Sequence, residues 1–181
     1  MKFLILFVII GSSEVWKLYN AERILSYTSI SCAGSNKTIL ISECYVKPVS
    51  KQQSGLNVVL DFIKTVNSAK LSYDFSVKIG KRFVSLINGD NIDICSFLSG
   101  TSNTTSIKYA MNLVKHALPK GSLHPCPLLG HHELLNITVG RPGSNLVLPG
   151  TTYKLYFWFY NENDRNITTI NITLNSVNIT N

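Results

Sequence analysis

No apolar run in this chain approaches the ~20 residues that a helix needs to cross a bilayer. The longest, Phe3–Ile10, is too short to anchor it, and no hydrophobic tail follows the final Asn-Ile-Thr-Asn. We therefore expect no transmembrane segment and no lipid anchor. Catalytic signatures are missing too. The cysteines include no C-x-x-C pair, which excludes a zinc ribbon or a thioredoxin-type redox site. Neither a G-x-S-x-G elbow nor a glycine-rich phosphate loop is present. His131-His132-Glu133-Leu134-Leu135-Asn136 begins like the zinc-protease helix, but Asn136 stands where its second histidine is required. With His124 these histidines read as a surface loop rather than a metal site. Asp61, Asp74, Asp90 and Asp93 form no pairing that spacing supports. We expect no enzyme, no catalytic residue, no metal and no cofactor.

Acidic residues are also few, 10 against 17 lysines and arginines, for a net charge of +7. The basic residues are scattered, with Lys78, Lys81 and Arg82 the one tight group. A nucleic-acid binder would gather charge into a stripe, so no nucleic-acid partner is expected. A solvated basic surface with mild attraction to anionic lipid or matrix fits better.

What is present points to export. Lys2, the apolar run Phe3–Ile10 and Gly11-Ser12-Ser13 follow the order of a secretory signal, with cleavage expected near Ser13. Residues 14–181 then suit one domain able to bury a core. N-x-Ser/Thr sites occur at Asn36, Asn103, Asn136, Asn166, Asn171 and Asn178. Each marks an expected exposed glycosylation position, since a glycan cannot be packed inside. Cys32, Cys44, Cys95 and Cys126 are an even set, which in an exported chain implies two disulfides with three connectivities open.

Residues 71–79 alternate most cleanly. Leu71, Tyr73, Phe75, Val77 and Ile79 take one face, and Ser72, Asp74, Ser76 and Lys78 the other. Gly80-Lys81 turns the chain into a second apolar run, Phe83 to Ile87, which Asn88-Gly89 is expected to end. Further strands are expected at Ile24–Ser31, Thr38–Val46, Leu56–Ile63, Glu133–Val139, Thr152–Tyr160 and Thr168–Val177. The run Tyr153–Tyr160 is apolar on both faces, as suits a central strand. In the last strand Ile170, Ile172 and Leu174 share one face, leaving Asn171 on the solvent side. One segment keeps helical time: Ile107, Ala110, Met111, Val114, Ala117 and Leu118 form one face of a helix near 104–118, ended by Pro119. Many short strands with one amphipathic helix predict a mainly β, two-sheet sandwich.

Ile92-Asp93-Ile94-Cys95-Ser96-Phe97-Leu98, then a helix, then His124-Pro125-Cys126-Pro127-Leu128-Leu129-Gly130, resembles a family of secreted insect proteins that includes the CheB-type chemosensory proteins. The upstream pair Cys32 and Cys44 fits that family, as does Pro149-Gly150 before the aromatic strand at Tyr153. The resemblance spans roughly residues 25–175. The family in turn is distantly similar to ML lipid-recognition domains. This implies an immunoglobulin-like sandwich with a lipid tail between its sheets, and disulfides Cys32–Cys44 and Cys95–Cys126. ML domains commonly carry more than four cysteines, so packing alone would hold these sheets apart.

The apolar residues Tyr73, Phe75, Val77, Phe97, Met111, Val114, Tyr153, Leu155, Phe157 and Phe159 are the candidates for a ligand cavity; an ordinary close-packed core is the default reading of the same set. The helix at 105–118 and the Cys95–Cys126 loop are the expected mouth. Two functions follow. The first is a secreted carrier or presenter of a small apolar ligand (lipid, sterol or hydrocarbon) in chemosensation or reproduction. The second is an extracellular interaction module with a closed core that contacts a receptor or surface partner.

Overall fold

The alternation of residues 71–79 and the doubly apolar run 152–160 become neighbouring strands at the centre of a sheet, and the rest of the chain is arranged around them. The computed structural model describes residues 23–35, 37–99, 101, 125–139, 151–161 and 166–178. In chain order these hold β1 (Arg23–Gly34), β2 (Ile39–Pro48), β3 (Ser54–Val66), β4 (Lys70–Ile79), β5 (Arg82–Asp93), a short helix α1 (Ile94–Leu98), β6 (Leu128–Ile137), β7 (Thr152–Tyr160) and β8 (Asn166–Asn178). The helix expected near 104–118 lies outside the described residues, as does the signal segment 1–13.

Two antiparallel sheets form a β-sandwich. One has five strands in the order β1-β8-β7-β4-β5, and the other has three in the order β2-β3-β6. The doubly apolar strand β7 is the middle strand of the larger sheet. Register puts Leu71 opposite Phe159, Tyr73 opposite Phe157, Phe75 opposite Leu155 and Val77 opposite Tyr153. On the other side of β7, Phe157 meets Ile170 and Leu155 meets Ile172. One apolar face thus runs across three strands, because directly opposed residues in a sheet share a face. The smaller sheet answers with Leu56, Val58, Leu60 and Phe62 of β3, backed by Val46 and Cys44 on β2 and by Ile137 and Leu134 on β6.

Three details depart from the sequence reading. Asn88-Gly89 does not end a strand: β5 continues to Asp93. Gly89 is needed there because a Cβ would lie 2.7 Å from the Tyr73 ring and 3.1 Å from Ile92 Cδ1. Ser72 and Ser76, expected toward solvent, are buried. Ser72 Oγ lies 3.2 Å from the Tyr160 hydroxyl, and Ser76 donates to Asp74 at 2.7 Å. Ile79, expected on the buried face, is exposed, since it ends β4 beyond the last register pair with β7, Val77 opposite Tyr153.

Helix α1 follows directly on β5. Its start is fixed by Asp93, which accepts from the Ser96 N–H at 3.0 Å and from the Ser96 hydroxyl at 2.6 Å. A carboxylate at the cap satisfies N–H groups that have no partner in the helix. The Ser96 side chain, then its N–H, hold the Asp93 carboxyl below its usual range.

Cysteine 32 on β1 pairs with Cys44 on β2, and Cys95 in α1 pairs with Cys126 just before β6. β1 and β2 are edge strands of different sheets, so the first bridge staples one side of the sandwich. The second joins the chain after β5 to the chain before β6, the edges of the opposite side.

Candidate functional site

The two sides of the sandwich differ. Along the side of the Cys32–Cys44 bridge β1 runs against β2 and β3, whereas β5 and β6 show no comparable approach among the described residues. Packing differs along the strands as well. At one end Leu25, Tyr27, Leu56, Val77, Ile137, Tyr153, Ile172 and Leu174 form a buried cluster. At the other end Ile39, Val66, Ala69 and Ile167 form a second, with Leu71 and Ile92 a third beside it. Between them the inward-facing side chains of the larger sheet are only half-buried: Tyr73, Phe75, Leu155, Phe157 and Phe159. The facing side chains Leu60, Phe62 and Leu134 of the smaller sheet are half-buried as well.

An inward aromatic at mid-strand is normally sealed, because interiors pack near 0.74 density. Here apolar walls face each other and keep accessible surface between two sealed ends. Phe75 stacks on buried Tyr153 with centroids 5.5 Å apart, and Phe157 and Phe159 lie tilted at 6.3 Å. The aromatic wall is thus braced from the packed end. Toward the open side, Val84 and Ile87 of β5 share the inward face through their partners Val77 and Phe75, and both are exposed.

The structure therefore divides the sequence candidates. Tyr73, Phe75, Leu155, Phe157 and Phe159 are brought together on the accessible apolar wall. Val77 and Tyr153 belong to the packed end. Phe97 is half-buried on α1 and packs against Leu71 and Ile92. Met111 and Val114 lie outside the described residues, and so does the expected mouth at 105–118. The facing wall of Leu60, Phe62 and Leu134 was not anticipated, although the alternation of β3 carries Leu60 and Phe62.

Two recesses of about 460 and 440 Å³ lie at the ends of the sandwich. The first is lined by polar groups including Lys37, Lys64, Asn67 and Asn166, the second by Ser26, Ser50, Gln53 and Ser54. None of the apolar candidates borders either one, and neither has the lining an apolar molecule needs.

His131 and His132, expected in a surface loop, lie in strand β6, so the two leave on opposite faces, and His124 lies outside the described residues. His132 faces inward, its ring edge-on to Phe62 with centroids 5.2 Å apart. His131 faces outward between two carboxylates, with Nδ1 2.8 Å from Asp61 and Nε2 2.9 Å from Glu133. In the protonated ring both nitrogens donate to these carboxylates. Hydrogen bonding to Glu133 and then Asp61 raises the His131 pKa above its ordinary value. Among the described residues, no group of three or more His, Cys, Asp or Glu is arranged to hold a metal ion.

Of the sequon asparagines, Asn136 is exposed at a bulge of β6 with φ 54°, its N–H donating to Asn57 Oδ1 at 3.1 Å. Asn166 is exposed at the start of β8, and Asn171 is half-buried on the outer face opposite Tyr156. Asn178 ends β8; Asn36 and Asn103 lie outside the described residues. Among those residues no helix is long and apolar enough to cross a membrane.

No family model matches this chain, and no curated protein does. Among solved structures it is similar to a Niemann–Pick type C2 protein from the Japanese carpenter ant, at 12% identity and a TM-score of 0.35, covering 85% of this chain and 92% of that one. It is also similar to chicken MD-1 complexed with lipid IVa, at 10% identity and a TM-score of 0.32, covering 88% and 100%. Both likenesses are distant, and the functional reading rests on this chain's own residues.

Proposed function

We propose that this chain is a secreted, non-enzymatic carrier or presenter of a small apolar ligand, a lipid, sterol or hydrocarbon, held between the two sheets. In this reading residues 1–13 are a cleaved signal peptide, residues 14–181 are one ML-like domain, and glycans stand on the surface asparagines. The observation that carries it is the accessible apolar wall of Tyr73, Phe75, Leu155, Phe157 and Phe159 between two packed ends. Uptake would be driven by removing that wall and the ligand from water, at about 25 cal/mol per Å² of apolar surface. Nothing in the site asks for bond chemistry. A chemosensory or reproductive setting rests on the resemblance of the cysteine motifs to the secreted insect family.

Native mass spectrometry of the exported protein, before and after mild lipid extraction, tests this. One apolar molecule per chain, removable and reloadable, is the expected result. Phe157→Glu should abolish reloading, and so should Leu155→Trp, which fills the space without adding charge. A folded, extracted chain that takes up no lipid, sterol or hydrocarbon overturns the carrier reading and favours the interaction module.

A further inference from the structure

The β4–β5 hairpin exposes more apolar surface than a strand in water has reason to. Ile79 is 61% exposed, Val84 45%, Leu86 52%, Ile87 51% and Phe83 37%. Val84 and Ile87 take the inward face and Phe83 the outer one, so the end of the hairpin presents exposed apolar side chains on both faces, and such exposure marks an interaction site. The same hairpin carries Lys78, Lys81 and Arg82, all exposed, and from Phe75 to Gly89 it has no acidic residue. Lys154 on neighbouring β7 adds a further charge, with Nζ 4.3 Å above the Phe83 ring. The turn itself is bare: at Gly80 nothing lies within 4 Å of where a Cβ would be.

We propose that this hairpin docks the protein on an anionic membrane surface, with Ile79, Phe83 and Val84 entering the interface and Lys78, Lys81 and Arg82 pairing with lipid phosphates and carboxylates. Apolar side chains ringed by lysine and arginine are what an anionic bilayer interface selects: the chains reach the acyl boundary while the charges stay at headgroup level. A second copy of the chain suits the hairpin less well. Pairing β5 edge to edge would need a regular strand, and β5 is broken by bulges at Leu86 and at Asp90–Asn91. Bulges of this kind protect an edge from such pairing. A soluble polyanion would engage the basic residues but leave the apolar ones in water. Docking goes beyond the carrier reading and stands whether or not the sheets take a ligand between them.

The test is co-sedimentation of the full chain with phosphatidylcholine vesicles, with and without phosphatidylserine, alongside heparin retention and gel filtration. Binding is expected only with phosphatidylserine and should weaken as salt is raised. Each basic residue is worth about fivefold in partitioning, so Lys81→Glu with Arg82→Glu should weaken binding by roughly 25-fold or more. Ile79→Ser with Val84→Ser should weaken vesicle binding by at least about fivefold and leave heparin retention unchanged. All four side chains are exposed, and an unchanged circular dichroism melt shows that the variants fold. Failure of the native chain to bind phosphatidylserine vesicles overturns the proposal. So does vesicle binding that survives both double substitutions, retention on heparin alone, or a dimer that the hairpin substitutions dissociate in a chain without vesicle affinity.

Discussion

Tyr160 and Asn91 clasp each other across a strand that lies between them. The Tyr160 hydroxyl donates to Asn91 Oδ1 at 3.1 Å and accepts the Asn91 N–H at 3.2 Å, passing Ser72 Oγ at 3.2 Å on the way. Tyr160 ends β7, Asn91 is in β5, and β4 separates them. Asn91 has φ 56°, a left-handed backbone that asparagine tolerates better than most residues. The clasp therefore holds the bulge from which β5 resumes pairing, so that Ile92 meets Leu71.

Tyr160→Phe keeps the ring and removes all three hydrogen bonds. Because Asn91 is exposed, water replaces part of what is lost, and a cost of about 1 kcal/mol is expected. Urea denaturation measures it. Amide exchange at Asn91 and Ile92 should quicken while exchange in β8 stays unchanged. An unchanged rate at Asn91 would show that the bulge holds without the phenol.

Gly89 gives a second prediction, one that reports on the apolar wall. Its missing Cβ leaves room for Tyr73, whose ring would otherwise be 2.7 Å away. Gly89→Ala should destabilise by about 1–3 kcal/mol, as overpacking generally does. Pairing it with Tyr73→Leu should recover most of that loss, because the two changes act on one contact. Additive losses in the double variant would place the strain in the backbone instead.

These residues also show how far the sequence is legible. The alternation of Leu71, Tyr73, Phe75 and Val77 names a strand and its inner face, and the doubly apolar run at 153–160 names the strand between two others. Both are local patterns of burial, and burial is what sheet formation responds to. Gly89 misleads, because Asn-Gly is a turn signal only when no ring across the ladder needs the space. Ser72 and Ser76 mislead in the same way: short polar side chains read as solvent-facing, but their burial is decided by partners far along the chain, as Tyr160 shows for Ser72. The start of α1 was readable in Asp93 and Ser96, three residues apart with the spacing of a capped turn, though the stretch is too short for any periodicity to reveal. For the site, one wall was legible. That its middle keeps accessible surface depends on how two sheets are inclined, and no residue pattern within a strand encodes this.

The outer face of the smaller sheet supplies a pH dependence whose sign is fixed. His131 stands between Glu133 and Asp61, and both carboxylates favour its charged form. Its folded pKa is therefore above the ordinary value of about 6.5 that it regains on unfolding. A group whose pKa rises on folding stabilises the fold fully below its unfolded pKa and loses that contribution as pH climbs through the folded one. The side chain is open to solvent, so the increment is small and screened by salt. His131→Gln should lower the melting temperature at a pH below about 6.5, and the difference should close once the pH has passed the raised pKa. Nuclear magnetic resonance of the imidazole should place its titration above 6.5 in the native chain, and Glu133→Gln should bring it down. A melting difference that is the same at both pH values would mean that His131 acts through packing on the strand face rather than through its charge.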